Sequence, residues 1–215
     1  SDILRFQIAT EDEEYTKINE YHEEGFEPMC GYDAFKYLSS YHFVEPAWCY
    51  VIRKNYYIEN KFSFKKGVYH EDFGLIPYVI YKARKVKSID YIGYHYVQRN
   101  GSIMHSKWNS QRERVITISK AFMKFVLENY PDIYPAAVHR YFFSLNEMCV
   151  FAMAEKNYIE LTRDARMYAR HIKHVLISDN KVKACKKIRY MIMVYFPRTY
   201  RCLWRIGKSI RSRYE

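Results

Sequence analysis

The sequence predicts an α+β fold, with a small sheet in the first half of the chain and helices through most of the second half. Short runs rich in β-branched and aromatic residues, which are typical of strands, lie at 2–9 and 86–97. After residue 110 the apolar residues recur instead at the spacing of a helix that packs on one face. The chain is 49% hydrophobic and contains 23 Tyr and 13 Phe, which is ample for a packed core.

Before residue 106 we expect two strands, three helical segments and an acidic loop. The run 2–9 predicts the first strand, and the alternation at 86–97 predicts a second strand at a sheet edge or in a hairpin. The acidic stretch 11–27 has few apolar residues and is expected to be a solvated loop, which could include a short hairpin. The helical segments are predicted at 31–38, 53–60 and 73–83.

Residues 107–180 are expected to form a helical bundle. Ser110 and Glu113 have the spacing of a capping box, which opens a helix that Pro131 ends. Pro135 is suited to the first position of the next helix. The three helices are predicted at 110–130, 135–156 and 159–177.

The formal net charge of +11 comes from the last quarter of the chain. Residues 165–215 hold 14 basic and 2 acidic side chains, whereas residues 1–110 hold 14 and 15, and residues 111–164 hold 7 and 7. A basic segment of this kind is typical of surfaces that bind phosphate-rich partners, either membrane headgroups or nucleic acid.

The final segment, 181–215, is expected to be a basic amphipathic tail in two pieces separated by Pro197. The unbroken apolar runs in the chain, such as Tyr190–Phe196, are far shorter than the ~20 residues of a spanning helix. Apolar residues beside many basic ones predict a helix that lies in a membrane interface. The alternative is a helix packed on the domain with a solvated basic face. The apolar contacts of the second piece would come from Leu203, Trp204 and Ile210.

The cysteines predict free thiols in a reducing compartment. There are five, scattered along the chain with no C-x-x-C pair. This pattern argues against a disulfide framework and against a zinc site.

Candidate chemistry centres on the stretch 67–75, Gly-Val-Tyr-His-Glu-Asp-Phe-Gly-Leu. Glu71 and Asp72 lie among apolar residues, which indicates a partly buried site. A buried carboxylate is unfavourable unless it is paired or functional. Two adjacent acids in an apolar wall also disfavour joint ionisation, which raises one pKa and suits that group to general-base catalysis. The alternative is a helix start, where acids in the first turn are favoured by the helix dipole.

A spaced set of residues surrounds this stretch. It comprises Phe64-x-x-Gly67-x-x-His70-Glu71-Asp72, Pro77, Ala83 and Tyr94-x-Tyr96-x-x-Arg99-x-x-Ser102-Ile103-Met104, with Pro46-x-Trp48 and Ile52-Arg53-Lys54 upstream. This set resembles the second half of a family-two glycosyltransferase domain of the bacterial surface-polysaccharide type. The resemblance covers 1–106, about half of the chain. It implies that this part is the acceptor-side portion of a Rossmann-like nucleotide-diphospho-sugar transferase.

The resemblance also implies roles for individual residues. Asp72 would be the general base of an inverting transfer, and Glu71 would orient or tune it. Arg99 and Ser102 would cover the donor diphosphate, since a guanidinium binds phosphate in a fork and a hydroxyl adds one more bond. The substrate-binding residues would be Trp48, Arg53, His70, Arg99 and Ser102.

Other interpretations of these side chains remain open. Trp48 offers a flat face on which a sugar ring could stack, but core packing explains it equally simply. Arg99 could instead form a surface ion pair. His95 and His105 are candidate metal or phosphate contacts, or structural histidines.

The nucleotide-binding half of the resembling family is missing from this sequence. No two aspartates lie two residues apart, and there is no glycine-rich phosphate loop. We therefore expect a fragment of a longer enzyme, inactive alone, whose divalent metal (Mg²⁺ or Mn²⁺) is bound mostly by residues outside this chain. No metal ligand is assigned within it. The implied partners are a nucleotide-sugar donor and a glycan or lipid-linked acceptor.

The expected location is cytoplasmic and peripheral, on the inner face of the plasma membrane, with 181–215 on the anionic lipid surface. The alternative function is a basic nucleic-acid-binding module or a helical interaction module without catalysis. No specific nucleic-acid partner is expected, because the basic excess is confined to one segment and no zinc-finger or helix-turn-helix motif is present.

Overall fold

The structure is a computed structural model that describes residues 1–21, 24–40, 46–99 and 108–211, with side chains in the last helix described as far as residue 207. The chain divides into two compact units, Ser1–Lys107 (unit 1) and Trp108–Glu215 (unit 2). Strands and helices both occur in unit 1, whereas helices account for the regular structure described in unit 2. The predicted mixed class, with strands first and helices later, is therefore confirmed.

A five-stranded mixed sheet forms the centre of unit 1. Strand β1 (Ile3–Glu11) pairs in parallel with β5 (Val86–Val97) along one edge. Along its other edge, β1 pairs antiparallel with β2 (Lys17–Tyr21) and with the short β4 (Tyr50–Ile52). Strand β3 (Phe26–Met29) pairs antiparallel with the beginning of β5. Because β1 has partners on both edges, most of its residues are buried, including polar ones.

Two helices of unit 1 approach each other closely at a glycine. Helix α1 (Gly31–Ser39) packs on helix α3 (Ile76–Lys82). The backbone N–H of Gly31 donates to the carbonyl oxygen of Ala83 over 2.8 Å. A Cβ at Gly31 would lie closer than 3.0 Å to backbone carbonyl oxygens at the end of α3, such as that of Ile80. The glycine is therefore required by the contact between the helices.

A short helix, α2 (Lys54–Glu59), is fastened to α3 by a buried phenol. The hydroxyl of Tyr56 donates to the carbonyl oxygen of Val79 over 2.6 Å. The ring of Tyr56 is buried, and burial raises the pKa of its hydroxyl, so the phenol stays neutral and keeps its proton for this bond.

The described helices of unit 2 are α4 (Arg114–Asn129), α5 (Tyr134–Ala152), α6 (Tyr158–Leu161), α7 (Arg163–Ser178), α8 (Ala184–Tyr195) and α9 (Pro197–Arg211). Helices α4 and α5 pack together, α5 also contacts α7, and α8 contacts both α7 and α9. Two hydrogen bonds join these helices in the core: the hydroxyls of Ser119 and Ser144 are 2.8 Å apart, and Tyr141 donates to the carbonyl oxygen of Ala165.

Several predicted elements are confirmed. The strand at 86–97 has the predicted bounds, and the helix at 31–38 extends by one residue. The predicted hairpin within 11–27 exists, because β2 folds back antiparallel on β1. Up to residue 211 the tail forms two helices, and Pro197 is the first residue of the second one.

The predicted capping box is wrong. The side-chain oxygen of Asn109, rather than that of Ser110, accepts a hydrogen bond from the backbone N–H of Gln111 over 3.0 Å. A 3-10 turn at Ser110–Glu113 follows, and α4 begins only at Arg114. Asparagine is as good an N-cap residue as serine, and here it lies one position earlier.

The helix predicted at 159–177 is in fact two helices. Thr162 separates α6 from α7, and its hydroxyl donates to the carbonyl oxygen of Tyr158 over 2.9 Å. A threonine that bonds its own backbone in this way competes with the regular helical ladder. Helix α5 also ends earlier than predicted, at Ala152 rather than Lys156.

Among the described residues, no helix is both long enough and apolar enough to cross a membrane.

Candidate functional site

Residues 67–75, which carry the candidate catalytic acids, form a series of tight turns before α3. Gly67 and His70 adopt left-handed backbone conformations, with φ of 71° and 60°. Glycine adopts this conformation easily, whereas a residue with a side chain does so at some strain. The backbone N–H of Gly74 donates to the carbonyl oxygen of His70 over 3.1 Å, and that of Ile76 to Asp72 over 2.8 Å. The turns are therefore fastened to the first residue of α3.

The two adjacent acids have different surroundings. Asp72 is half-buried, and its Oδ1 accepts the backbone N–H of Phe73 over 2.7 Å. Phe73 itself is fully buried, which fixes the backbone beside the carboxylate. Glu71 is exposed. Burial thus distinguishes Asp72 from Glu71, although the sequence places both among apolar neighbours.

The predicted helix start at these acids is wrong. Helix α3 begins at Ile76, not at 73, and no acidic residue lies in its first turn. Asp72 lies four residues before the helix, so it is held by a turn and not by a helix N-terminus. The helix dipole therefore does not explain why acids occur here.

Trp48 belongs to an aromatic stack on one face of the sheet. It lies in a 3-10 turn, Ala47–Cys49, just before β4. Its ring stacks on those of Tyr94 and Tyr96, with centroid distances of 4.8 and 5.5 Å and interplanar angles of 21° and 15°. The two tyrosines lie two residues apart on β5 and therefore share a face. The tyrosines cover part of the indole, and the three rings form one layer of nearly parallel planes.

Arg53 is bound to a buried acid at the other end of β4. Its Nη1 lies 3.8 Å from Oδ1 of Asp2, and Nη2 of Arg84 lies 3.3 Å from the same oxygen. The backbone N–H of Arg84 also donates to Asp2. Burial alone would raise the pKa of Asp2, but the hydrogen bonds and charges of Arg84 and the charge of Arg53 outweigh it and lower the pKa. Arg53 therefore helps to fasten β1 and β4 to the start of β5.

Trp48 and Arg53 are not brought together by β4. They flank opposite ends of the strand, which pairs with β1 from Arg5 to Ile3. The predicted substrate residues in this part of the chain thus lie in two separate surroundings, one aromatic and one ionic.

A pair formed by an acid and a histidine, Glu11 and His95, was not predicted. Nδ1 of His95 lies 2.5 Å from Oε1 of Glu11, with the carboxylate largely buried and the imidazole largely exposed. The pair links the carboxyl ends of the parallel strands β1 and β5, where Ala9 is opposite His95. Only the parallel register places these residues together, and no local pattern in the sequence shows it.

The remaining predicted residues lie near or beyond the end of β5. Arg99 is exposed, two residues after the strand. Ser102 and His105 lie outside the described residues. Across the stretches that the structure does describe, there is no group of three or more His, Cys, Asp or Glu side chains that could hold a metal ion.

No protein-family model matches this sequence, and the comparison with curated proteins gives no match either. The roles of Asp72, Glu71, Trp48, Arg53, His70, Arg99 and Ser102 in catalysis or binding stay predictions.

Proposed function

We propose that this chain is the acceptor-side part of an inverting glycosyltransferase, which transfers a sugar from a nucleotide-sugar donor to a glycan or lipid-linked acceptor in cell-surface polysaccharide synthesis. The observation that carries the proposal is the surroundings of Asp72. Its half-buried carboxylate is held in tight turns beside a fully buried phenylalanine, and its acidic neighbour is exposed. A carboxylate fixed in this way is suited to accept a proton at a defined position.

In the proposed reaction, an acceptor hydroxyl attacks the anomeric carbon of the donor sugar. The new carbon–oxygen bond forms as the bond to the diphosphate breaks, and the diphosphate leaves with the bonding electrons. Asp72 takes the proton of the attacking hydroxyl. A single displacement inverts the configuration at the anomeric carbon, so one base is sufficient.

The neighbouring residues would position the two substrates. The backbone of His70 fixes the turn, because its carbonyl oxygen accepts the N–H of Gly74. The exposed Arg99 is available to cover the donor diphosphate. The aromatic layer of Trp48 offers edges and faces of the kind that contact sugar rings, although the tyrosines cover part of the indole.

The donor itself would be bound by a preceding Rossmann-like half of the intact protein. The divalent metal that the resemblance implies would be held mostly by that half. Lipid-linked acceptors lie at the inner face of the plasma membrane, so the enzyme would act there as a peripheral, cytoplasmic protein.

The test uses the intact enzyme and its nucleotide-sugar donor. Asp72→Asn should lower kcat by about 10²- to 10⁴-fold, because it removes the base and leaves the fold of the turn in place. Donor affinity, measured by calorimetry, should change little. Glu71→Gln is the matched control, since it removes a neighbouring exposed carboxylate, and its effect should be much smaller.

Retention of most of the turnover by Asp72→Asn would show that Asp72 is not the base. Equal losses for the two variants would show that the pair acts through charge alone. The 215-residue chain without a donor-binding half should have no transferase activity.

A further inference from the structure

We propose that helix α9 of unit 2 lies along an anionic lipid surface, with an apolar stripe against the membrane and arginines among the headgroups. This inference goes beyond the transfer reaction. It concerns a different unit, and it holds or fails whether or not unit 1 catalyses transfer.

The stripe consists of Phe196, Leu203 and Ile206. These residues are 64%, 52% and 51% exposed, although each is large and apolar. Leu203 and Ile206 lie three residues apart and therefore share one side of the helix. Phe196 is the residue just before Pro197, where the helix begins. A group of exposed apolar side chains indicates a binding surface, whereas single exposed ones are ordinary.

Tyr200, three residues before Leu203, attaches the helix to unit 2. Tyr200 is buried, and its hydroxyl lies 2.5 Å from Oδ1 of Asn146 in α5. Arg189 of α8 also donates to the same hydroxyl over 3.3 Å. These bonds fix the rotation of α9, so the stripe is presented outward by the fold itself.

The charge of the helix selects an anionic partner. Arg198 and Arg205 are exposed and lie seven residues apart. Arg201 differs, because it is half-buried with its guanidinium over the ring of Tyr158. No acidic residue occurs from 180 to 214, so this segment of the sequence carries only positive formal charge. Apolar residues on one side and arginines on another are the pattern of helices that lie in an interface without crossing it.

A lipid surface fits these observations better than nucleic acid does. A strand of nucleic acid is bound by basic groups with aromatic rings on which bases stack. The stripe offers two aliphatic side chains and one phenyl ring, which gain most by leaving water. Vesicle binding therefore distinguishes the partners directly.

The test is flotation of the 215-residue chain with vesicles of phosphatidylcholine, and with vesicles in which part of that lipid is replaced by phosphatidylglycerol. The chain should bind only the anionic vesicles, and binding should fall strongly when salt is raised to about 0.5 M. Leu203→Asn with Ile206→Asn should lower the partition coefficient about tenfold. The matched control is Leu127→Asn with Ile177→Asn, which changes residues of equal chemistry and exposure on α4 and α7 and should leave binding unchanged.

A second pair of variants tests the charge. Arg198→Glu with Arg205→Glu should lower binding at least about tenfold. Arg163→Glu with Lys124→Glu reverses two other exposed charges of unit 2 and should have a small effect. Circular dichroism of each variant should show an unchanged fold.

Four outcomes would overturn the proposal: no binding to anionic vesicles, equal loss of binding in the control pair, preferential salt-sensitive binding to RNA, or self-association through the stripe. The last is detected by light scattering as a dimer that the Leu203 and Ile206 variants dissociate.

Discussion

The two units satisfy their buried charged groups in different ways. In unit 1 the buried acids Asp2 and Glu11 face cationic or imidazole partners across the sheet. In unit 2 the partners of the buried Arg166 are neutral: Nε donates to the hydroxyl of Thr162 over 3.1 Å, and Nη2 to the carbonyl oxygen of Ile159 over 2.8 Å. Buried Arg112 has its guanidinium 3.4 Å from the ring centre of Phe151.

The net charge of the chain is also unevenly distributed. Residues 1–110 are nearly neutral, with 14 basic and 15 acidic side chains, whereas residues 165–215 hold 14 basic and 2 acidic ones. Carbonyls and aromatic rings accept a guanidinium without cancelling its charge. The positive excess of the last quarter of the chain is the charge that the proposed contact with an anionic surface uses.

Two buried cysteines allow the opening of each unit to be measured separately. Cys49 lies in unit 1 and Cys149 in unit 2, and both are buried, whereas Cys30, Cys185 and Cys202 are exposed. Burial raises the pKa of Cys149 to about 12, so its reactive thiolate is scarce until unit 2 opens. Pulsed alkylation followed by mass spectrometry therefore measures the opening of each unit within one chain.

Gly31→Ala is expected to cause the largest difference in stability between the two units. The added Cβ would meet backbone carbonyl oxygens at the end of α3, which cannot rotate away as side chains can. We expect unit 1 to be destabilised by about 3 kcal/mol, the upper end of the usual range for overpacking. Alkylation of Cys49 should accelerate, and that of Cys149 should not.

Gly207→Ala is the matched control. A Cβ there meets nothing within 4 Å, and the residue lies inside α9. Alanine should stabilise the helix by up to about 1 kcal/mol. If alkylation of Cys49 and Cys149 accelerated equally in Gly31→Ala, the two units would unfold together. They would then have one common stability instead of two separate ones.

A smaller effect is expected from Arg166→Ala, this time in unit 2. The change leaves the carbonyl oxygen of Ile159 and the hydroxyl of Thr162 without their donor and removes a buried side chain. We expect a loss of about 2 kcal/mol. The measurement is faster alkylation of Cys149 with Cys49 unaffected. Arg163→Ala, an exposed neighbour, should change stability by less than about 0.5 kcal/mol.

Arg166→Met separates the loss of hydrogen bonds from the loss of buried volume, because it keeps most of the side-chain volume and removes only the donors. A stability equal to that of the unchanged chain would mean that desolvation of the guanidinium offsets its hydrogen bonds. Burial already lowers the pKa of Arg166, which is the sign of such a desolvation.

The sequence predicts what depends on local periodicity and misses what depends on register. Strand 86–97 and the break at Pro197 are visible because alternation and proline act within a few residues. The Glu11–His95 pair requires the parallel pairing of β1 with β5, which no local signal encodes. The surroundings of Arg53 are missed for the same reason, since Asp2 and Arg84 are distant in sequence.

In the candidate site, too, local sequence patterns predict one part and miss the part that depends on the folded chain. A partly buried acid within 67–75 is predictable from its apolar neighbours. Which of the two acids is buried depends on the turns in which Gly67 and His70 have positive φ, and the local sequence pattern does not give these angles.

The smallest expected effect is a difference in the pH at which acid destabilises each unit. In unit 1 the group that responds is Asp2. The folded chain lowers the pKa of Asp2 from its ordinary value of 3.8. The unfolded chain therefore binds the proton first as the pH falls. The stabilisation is complete above pH 3.8 and is lost as the pH falls through the lowered pKa of the folded state. Asp2→Asn should flatten this dependence, as measured by hydrogen exchange of peptides from unit 1.

Unit 2 should respond to acid at higher pH, because its sensitive group is a histidine. Burial, followed by the charge of Lys186, lowers the pKa of His139 from its ordinary value of 6.5. Below pH 6.5 the unfolded chain takes up a proton that the folded chain resists, so unit 2 is fully stable above pH 6.5 and weakens as the pH falls through the lowered pKa. Hydrogen exchange in α5 and α8 should accelerate over a range in which unit 1 is unchanged. His139→Gln should remove this response, whereas His171→Gln, at an exposed position of α7, should leave it intact. Acceleration in both units at the same pH would mean that one group controls both, contrary to the separate surroundings of Asp2 and His139.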